Sequence, residues 1–205
     1  MIPIEIHMFP CLNDNYGFLV HDQESGFTAA VDTPEAETIL AELSKKNWNL
    51  THIFNTHHHA DHAGGNIAIK EATECQIIGP RADASRIPGI DKLVGDGDEF
   101  LLGGHPVRIF DTPGHTRGHI IYYLPEDGVA FVGDTLFAMG CGRLFEGTPA
   151  QMWNSLQKLT QLPDDTEIYC AHEYTQANAR FALSVEPGNQ ALIDRAREVD
   201  TLRAR

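Results

Sequence analysis

No stretch of this chain approaches the run of roughly 20 apolar residues that a bilayer-spanning helix needs. The opening Met1-Ile-Pro-Ile-Glu-Ile-His has neither the basic start nor the long apolar stretch of a secretory leader, so cytoplasmic residence is the expectation. Cysteine is sparse: Cys11, Cys75, Cys141 and Cys170 are scattered and form no C-x-x-C pair. That argues against a disulfide framework or a zinc ribbon and predicts buried, reduced thiols. Cationic side chains are outnumbered, 15 Lys and Arg against 29 Asp and Glu, for a net charge of -14. Nucleic acid and anionic membranes, which favour a basic face, are therefore not expected as partners. The same acidity repels an anionic substrate at long range, so such a substrate needs a local cationic pocket. Low-complexity tracts and short-period repeats are missing as well.

What remains is an ordinary globular composition, 42% hydrophobic over 205 residues, enough for one domain with at most a small appendage. Residues 2–9, 16–21 and 27–32 read as strands, rich in β-branched and aromatic side chains and separated by turn residues. Residues 34–47 read as an amphipathic helix, with Thr33 as candidate N-cap. A buried strand over 52–55, a histidine-rich loop, a helix around 65–73 and a strand over 76–79 follow. The Pro-, Gly- and Asp-punctuated segment 80–97 reads as a surface excursion. Further strands are expected over 106–111, 120–124, 129–132 and 167–170, with helices over 149–159, near 176–185 and over 189–203. Two β-rich halves with helices outside them predict an α/β (α+β) sandwich of αβ/βα type.

Eleven histidines are many for this length, and their placement carries the chemistry. Thr56-His57-His58-His59-Ala60-Asp61-His62 contains H-x-H-x-D-H, and imidazole nitrogen with carboxylate oxygen suits zinc and similar divalent ions. Alone, the loop admits a second reading as a surface histidine cluster. Three further residues each follow a predicted strand: His115 in Thr-Pro-Gly-His-Thr-Arg-Gly-His, Asp134 in Gly-Asp-Thr, and His172 in Cys-Ala-His-Glu-Tyr-Thr. Strand ends gather along one edge of a sheet, so these candidates can converge with the loop.

These motifs resemble the metallo-β-lactamase superfamily and, within it, glyoxalase II, the hydroxyacylglutathione hydrolases. The similarity runs from Asn13-Asp-Asn-Tyr to Val185-Glu-Pro-Gly-Asn; the stretches GDTLFAMGCGRLFEGT (133–148) and CAHEYT (170–175) are the most specific. The resemblance implies a four-layer metallo-β-lactamase sandwich over residues 1–172, followed by a helical segment over 173–205 that is short for the family. It implies one metal held by His57, His59 and His115, and a second held by Asp61, His62 and His172, with Asp134 bridging. Zinc is the expected metal, with iron or manganese as alternatives. His58 is expected to point away from the site, and His119 to orient a ligand or serve structure.

The implied reaction is hydrolysis of a glutathione thioester, S-D-lactoylglutathione or a related 2-hydroxyacyl compound, as in methylglyoxal detoxification. Asp61 and Asp134 would position a metal-bridging hydroxide. On formal charges, two divalent cations less two carboxylates and one hydroxide leave about one positive charge, which favours ionised water and a developing oxyanion. Arg143, Leu144, Phe145 and Tyr174 fall at positions that meet the glutathione part of the substrate, with Phe145 where some members carry tyrosine. The small-molecule thioester is the expected partner, and the protein is expected to be a monomer. The nearest different chemistry on the same fold is a persulfide dioxygenase, and a broad-specificity lactonase is a further alternative.

Overall fold

The computed structural model describes residues 2–204. The first half builds a six-stranded sheet in simple sequence order. Strands β1 (Glu5–Cys11), β2 (Asn15–His21) and β3 (Thr28–Val31) pair antiparallel. From β3 onward the pairing with β4 (His52–Phe54), β5 (Gln76–Pro80) and β6 (Lys92–Val94) is parallel. Parallel neighbours need crossovers, supplied here by helix α1 (Ala36–Lys46), by the short α2 (Ala60–Ala63) with α3 (Asn66–Thr73), and by a 3-10 helix (Arg81–Arg86).

The second half forms a five-stranded sheet of order β13-β10-β9-β8-β7. Its strands β7 (Glu99–Leu102), β8 (His105–Asp111), β9 (Ile120–Leu124) and β10 (Val129–Gly133) run antiparallel. A two-stranded hairpin, β11 (Leu136–Phe137) with β12 (Gly140–Cys141), precedes α4 (Pro149–Leu159). Strand β13 (Glu167–Cys170) then adds parallel to β10, and α5 (Thr175–Val185) and α6 (Gln190–Arg203) pack on each other at the end.

Side-chain alternation fixes the layers. In β9, Ile120, Tyr122 and Leu124 face the inter-sheet core, while Ile121 and Tyr123 face outward. In β2, Phe18 and Val20 enter the same core, and Leu19 faces the other way with Ile39 and Leu43 of α1 and Ile69 of α3. Leu156 and Leu159 of α4 cover the outer face of the second sheet. The result is the four-layer arrangement of helices, sheet, sheet and helices. Strands buried on both faces lose the polar half of the alternation, which is why 120–124 and 129–132 read as continuous apolar runs.

Several expectations need correction. Residues 2–4 lie outside any strand, and β1 runs on to Cys11. Thr33 does not cap α1: the cap position is Glu35, and Thr33 is buried, donating to Asn66 Oδ1 at 2.7 Å. The segment 80–97 is no mere excursion, because it contains the 3-10 helix and the edge strand β6. The thiols are free, but Cys141 is exposed rather than buried. Among the described residues no helix is long and apolar enough to cross a membrane.

Candidate metal centre

Strand direction sets the site: β8 and β10, each antiparallel to β9, run the same way, and β13 is parallel to β10, so all three end on one edge of the second sheet. In the first sheet β4 leads through the loop of His57 and His59 into helix α2 with Asp61 and His62; in the second, β8 leads into His115, β10 into Asp134 and β13 into His172. The first of these strands belongs to one sheet and the other three to the second, so the cluster sits across the mouth of the sandwich. An isolated bridge between Asn15 and His172, with Tyr16 N–H donating to the Ala171 carbonyl, closes that edge.

All seven sequence-predicted ligand residues come together. Donor atoms of His57, His59 and His115 lie within 4.8 Å of one another, as do those of His57, His62 and Asp134, and those of Asp61, His62 and His172. His59 Nδ1 stands 3.0 Å from both His57 Nε2 and His115 Nε2. His62 Nε2 and His172 Nε2 are 3.3 Å apart, and Asp61 Oδ2 is within 3.5 Å of each. Asp134 spans the two groups: Oδ2 is 3.2 Å from His115 Nε2, while Oδ1 is 3.4 Å from His62 Nε2 and His172 Nε2.

The ring orientations test whether this set suits metal ions. Four of the five rings are tied by Nδ1, which leaves Nε2 for the centre: His57 by Thr56 Oγ1, His62 by Asp32, His115 by the Arg143 carbonyl, and His172 by Asp14. Such outer partners fix tautomer and orientation in metal sites. Asp134 Oδ1 is buried without a hydrogen-bond partner, a costly state for a carboxylate oxygen that a cation relieves. Nitrogen and carboxylate donors facing common points fit divalent cations of the zinc, iron or manganese kind.

Protonation runs the same way. Burial pushes His57 and His119 well below the usual histidine range and also lowers His59 and His115, which keeps these rings neutral. His62 goes the other way: burial opposes its charge, but the neighbouring Asp32 and Asp134 carboxylates outweigh it and raise the ring. A metal ion at that ring would have to displace a proton.

Three residues that sequence reasoning did not assign, Asp32, Asp14 and Asn15, support the cluster, as does His119, which it expected to orient a ligand or serve structure. Asp32 accepts from His62 Nδ1, from Thr56 Oγ1 and from the Thr56 N–H, and it takes a left-handed φ of 59° to do so. Asp14 holds His172, and Asn15 donates to Asp61 Oδ2 at 3.3 Å. The available signal was position alone: Val31-Asp-Thr-Pro and Asn13-Asp-Asn both sit at strand ends facing the same edge. His119, fully buried, accepts the Asp134 N–H at 3.0 Å and so locates that carboxylate. Gly133, at φ 49°, lets the chain pass there, since a Cβ would fall 2.6 Å from His119 Nε2. His58 turns away, its Nδ1 paired with Asp83.

A cleft of about 500 Å³ opens on the cluster. Arg143, Phe145 and Tyr174 line it beside His59, Asp61, His115, Asp134 and His172. Tyr174 stacks on His172 with ring centres 4.9 Å apart, and the Arg143 guanidinium lies 5.7 Å over the Phe145 ring. Leu144 is 37% exposed and lies outside this lining.

Comparison with known proteins agrees with this geometry. The metallo-beta-lactamase superfamily model matches residues 24–172, and the model of the hydroxyacylglutathione hydrolase C-terminus matches residues 173–205. The hydroxyacylglutathione hydrolase of Maricaulis maris is 59% identical over 205 residues, covering 100% of this chain and 80% of that protein. The one from Rhizobium etli is 55% identical over 204 residues, with the same coverage of both. Among solved structures, ETHE1 from Myxococcus xanthus superposes with a TM-score of 0.74 at 31% identity, covering 83% of this chain and 76% of that one. TTHA1623, solved in a di-iron-bound form, superposes with a TM-score of 0.71 at 25% identity, covering 82% of this chain and 92% of that one.

Proposed function

Since the chain belongs to the hydroxyacylglutathione hydrolases of the metallo-β-lactamase superfamily, we infer that it hydrolyses S-D-lactoylglutathione and related 2-hydroxyacylglutathiones to glutathione and a 2-hydroxy acid. The observation that carries this reading is that Arg143, Phe145 and Tyr174 share one cleft with both ligand groups. The persulfide dioxygenase alternative is not favoured, because relatives at 55% to 59% identity over the full chain are hydroxyacylglutathione hydrolases.

His57, His59 and His115 would hold one divalent cation and Asp61, His62 and His172 a second, with Asp134 offering one oxygen to each side. Zinc fits this donor set, and iron or manganese would be accepted by the same nitrogens and oxygens. Bound there, the cations supply Lewis acidity, which lowers the pKa of water and polarises a carbonyl oxygen. The chain's own groups do the rest. Thr56, Asp32, Asp14 and the Arg143 carbonyl hold the rings so that no reorganisation is needed during reaction. His119 and Gly133 fix the Asp134 carboxylate at the centre, and Asn15 steadies Asp61.

Arg143 supplies the local positive charge that an acidic molecule otherwise withholds from an anionic glutathione tail. Tyr174 and Phe145 offer flat apolar walls to the same part of the substrate. Water adds to the thioester carbonyl and loses its protons, the C–S bond breaks, and the sulfur leaves as thiolate, which recovers one proton from solvent while the acid product keeps its negative charge. A thiolate is a good leaving group, so no strong general acid is required of the chain. Residues 1–172 then form the catalytic unit and 173–205 a helical segment beside the cleft, to whose wall that segment contributes Tyr174.

Steady-state hydrolysis of lactoylglutathione, run beside a thioester lacking the glutathione tail, tests this reading. A much lower KM for the glutathione thioester is expected. Equal turnover and equal KM for the two would remove the glutathione assignment and leave only a thioesterase.

A further inference from the structure

The Phe145-Glu-Gly-Thr stretch contains a charged residue that neither the metal cluster nor the cleft lining uses. Glu146 receives two contacts from Arg86 of the 3-10 helix, one to Oε1 and one from Nη2 to Oε2 at 3.1 Å. Arg86 Nη2 also donates to Oδ1 of Asp83, which is fully buried and whose Oδ2 pairs with His58 Nδ1 at 2.8 Å. Glu146 Oε2 further accepts the Arg117 N–H at 2.8 Å. One network thus joins the 57–62 loop, the 115–119 loop, the 3-10 helix and the segment 142–147.

That segment carries Arg143 and Phe145. Its backbone already leans on the His115 loop: Phe145 N–H donates to the His115 carbonyl at 3.2 Å and Gly147 N–H to the Gly114 carbonyl at 3.0 Å. These two bonds, with the Arg143 carbonyl paired to His115 Nδ1 at 2.8 Å, fix the inward side only. The outward side is held by the Glu146 carboxylate, through a forked guanidinium that fits a carboxylate in only one plane. The room for this arrangement is built in: a Cβ on Gly118 would lie 2.2 Å from Asp83 Oδ1. The Arg86 contact, the largest influence, holds the Glu146 carboxyl down to about 2, so the pair is fully charged at neutral pH.

We propose that Arg86 and Glu146 are positioning residues: their ion pair clamps the segment 142–147 against the Asp83 network and thereby sets Arg143 and Phe145 for the tail of the substrate. The proposal rests on the glutathione thioester reading above. The Asp83 carboxylate is the anvil of the clamp, since it holds Arg86 and His58 at once. Substrate meets the clamp only through Arg143 and Phe145, so loosening it disturbs recognition of the tail before it disturbs the bond-breaking centre.

The test uses full-length, metal-loaded protein with Glu146→Gln and Arg86→Lys, metal content being verified in each. Both variants keep approximate size: Glu146→Gln removes the charge and replaces one acceptor oxygen by a donor, and Arg86→Lys keeps the charge but removes the fork. KM for lactoylglutathione is expected to rise roughly 5- to 10-fold, the scale of one ordinary net hydrogen bond, with kcat changed less than about twofold. KM for the tail-less thioester is expected to stay put. Amide hydrogen exchange is read at 142–147, where protection is expected to fall in both variants while the strands keep theirs.

Unchanged exchange at 142–147 overturns the clamp whatever the substrate. Unchanged KM in variants of a wild type that does prefer the glutathione thioester overturns it too, as does an equal loss on both thioesters. A wild type that treats the two thioesters alike sinks the function reading instead, and the exchange measurement still decides the clamp.

Discussion

At the scale of single residues, the histidines are controlled by groups that never face the substrate. His62 illustrates this: its ring is fully buried and is kept in register by Asp32, which also ties down Thr56 and hence the base of His57. Replacing Asp32 by Asn removes the charge that orients His62, and loss of such a partner typically weakens metal affinity about 10- to 100-fold. Chelator competition on Asp32→Asn measures this, and wild-type affinity would show that Asp32 only shapes a turn. The seven ligand candidates were legible in the chain because His and Asp at strand ends are unusual enough to stand out together. Asp14 and Asp32 were not, since aspartate is among the ordinary turn residues.

At the scale of elements, α4 shows a local code the chain states outright. Thr148 accepts from Gln151 N–H, Gln151 returns a bond to Thr148 N–H, and Pro149 opens the helix. Thr148→Ala should cost about 1 kcal/mol of stability, a fall in melting temperature of roughly 2–4 °C for a chain of this size. Calorimetry showing no shift would mean that packing of Met152 and Leu159 alone sets the helix. The helix α1 lacks such a code: no side chain caps it, and its apparent cap, Thr33, is spent on Asn66. Strands β6 and β7, three and four residues long, escaped detection because so short a segment becomes a strand through its neighbour's hydrogen bonds.

The Arg86–Glu146 pair also belongs to this scale, as a tie between the 3-10 helix and the loop after β12. Glu146 is held below its usual range, so the sign is fixed: its stabilising contribution is complete above the unfolded value of about 4.3 and is lost as pH falls toward about 2. The melting-temperature gap between wild type and Glu146→Gln should therefore be widest near neutral pH and narrow below about pH 4. A gap independent of pH would assign the effect to shape and not to charge.

At the scale of the whole molecule, the metal centre joins the two sheets. The loop after β4 brings His57 and His59, and helix α2 that follows it Asp61 and His62, from the side of the first sheet, while the loops after β8, β10 and β13 bring His115, Asp134 and His172 from the second. Ions held across this seam as proposed would bind the folded state in preference to the unfolded chain, so removing them would lower stability. At free metal about 100-fold above the dissociation constant the loss is about 2.7 kcal/mol. Melting curves before and after exhaustive chelation, with metal restored as control, measure it. Identical curves would mean that the inter-sheet core of Phe18, Phe54, Tyr122 and Phe131 carries the seam unaided.

By itself the sequence determined the layered α/β class, most of the elements and the seven side chains that meet, because alternation, turn chemistry and ligand type are written residue by residue. Only the tertiary structure decided which ring nitrogen faces the centre, which carboxylates hold the rings, and how Glu146 reaches Arg86 sixty positions away. Those outcomes depend on distances between segments that share no local pattern, and such distances exist only once the two sheets have packed.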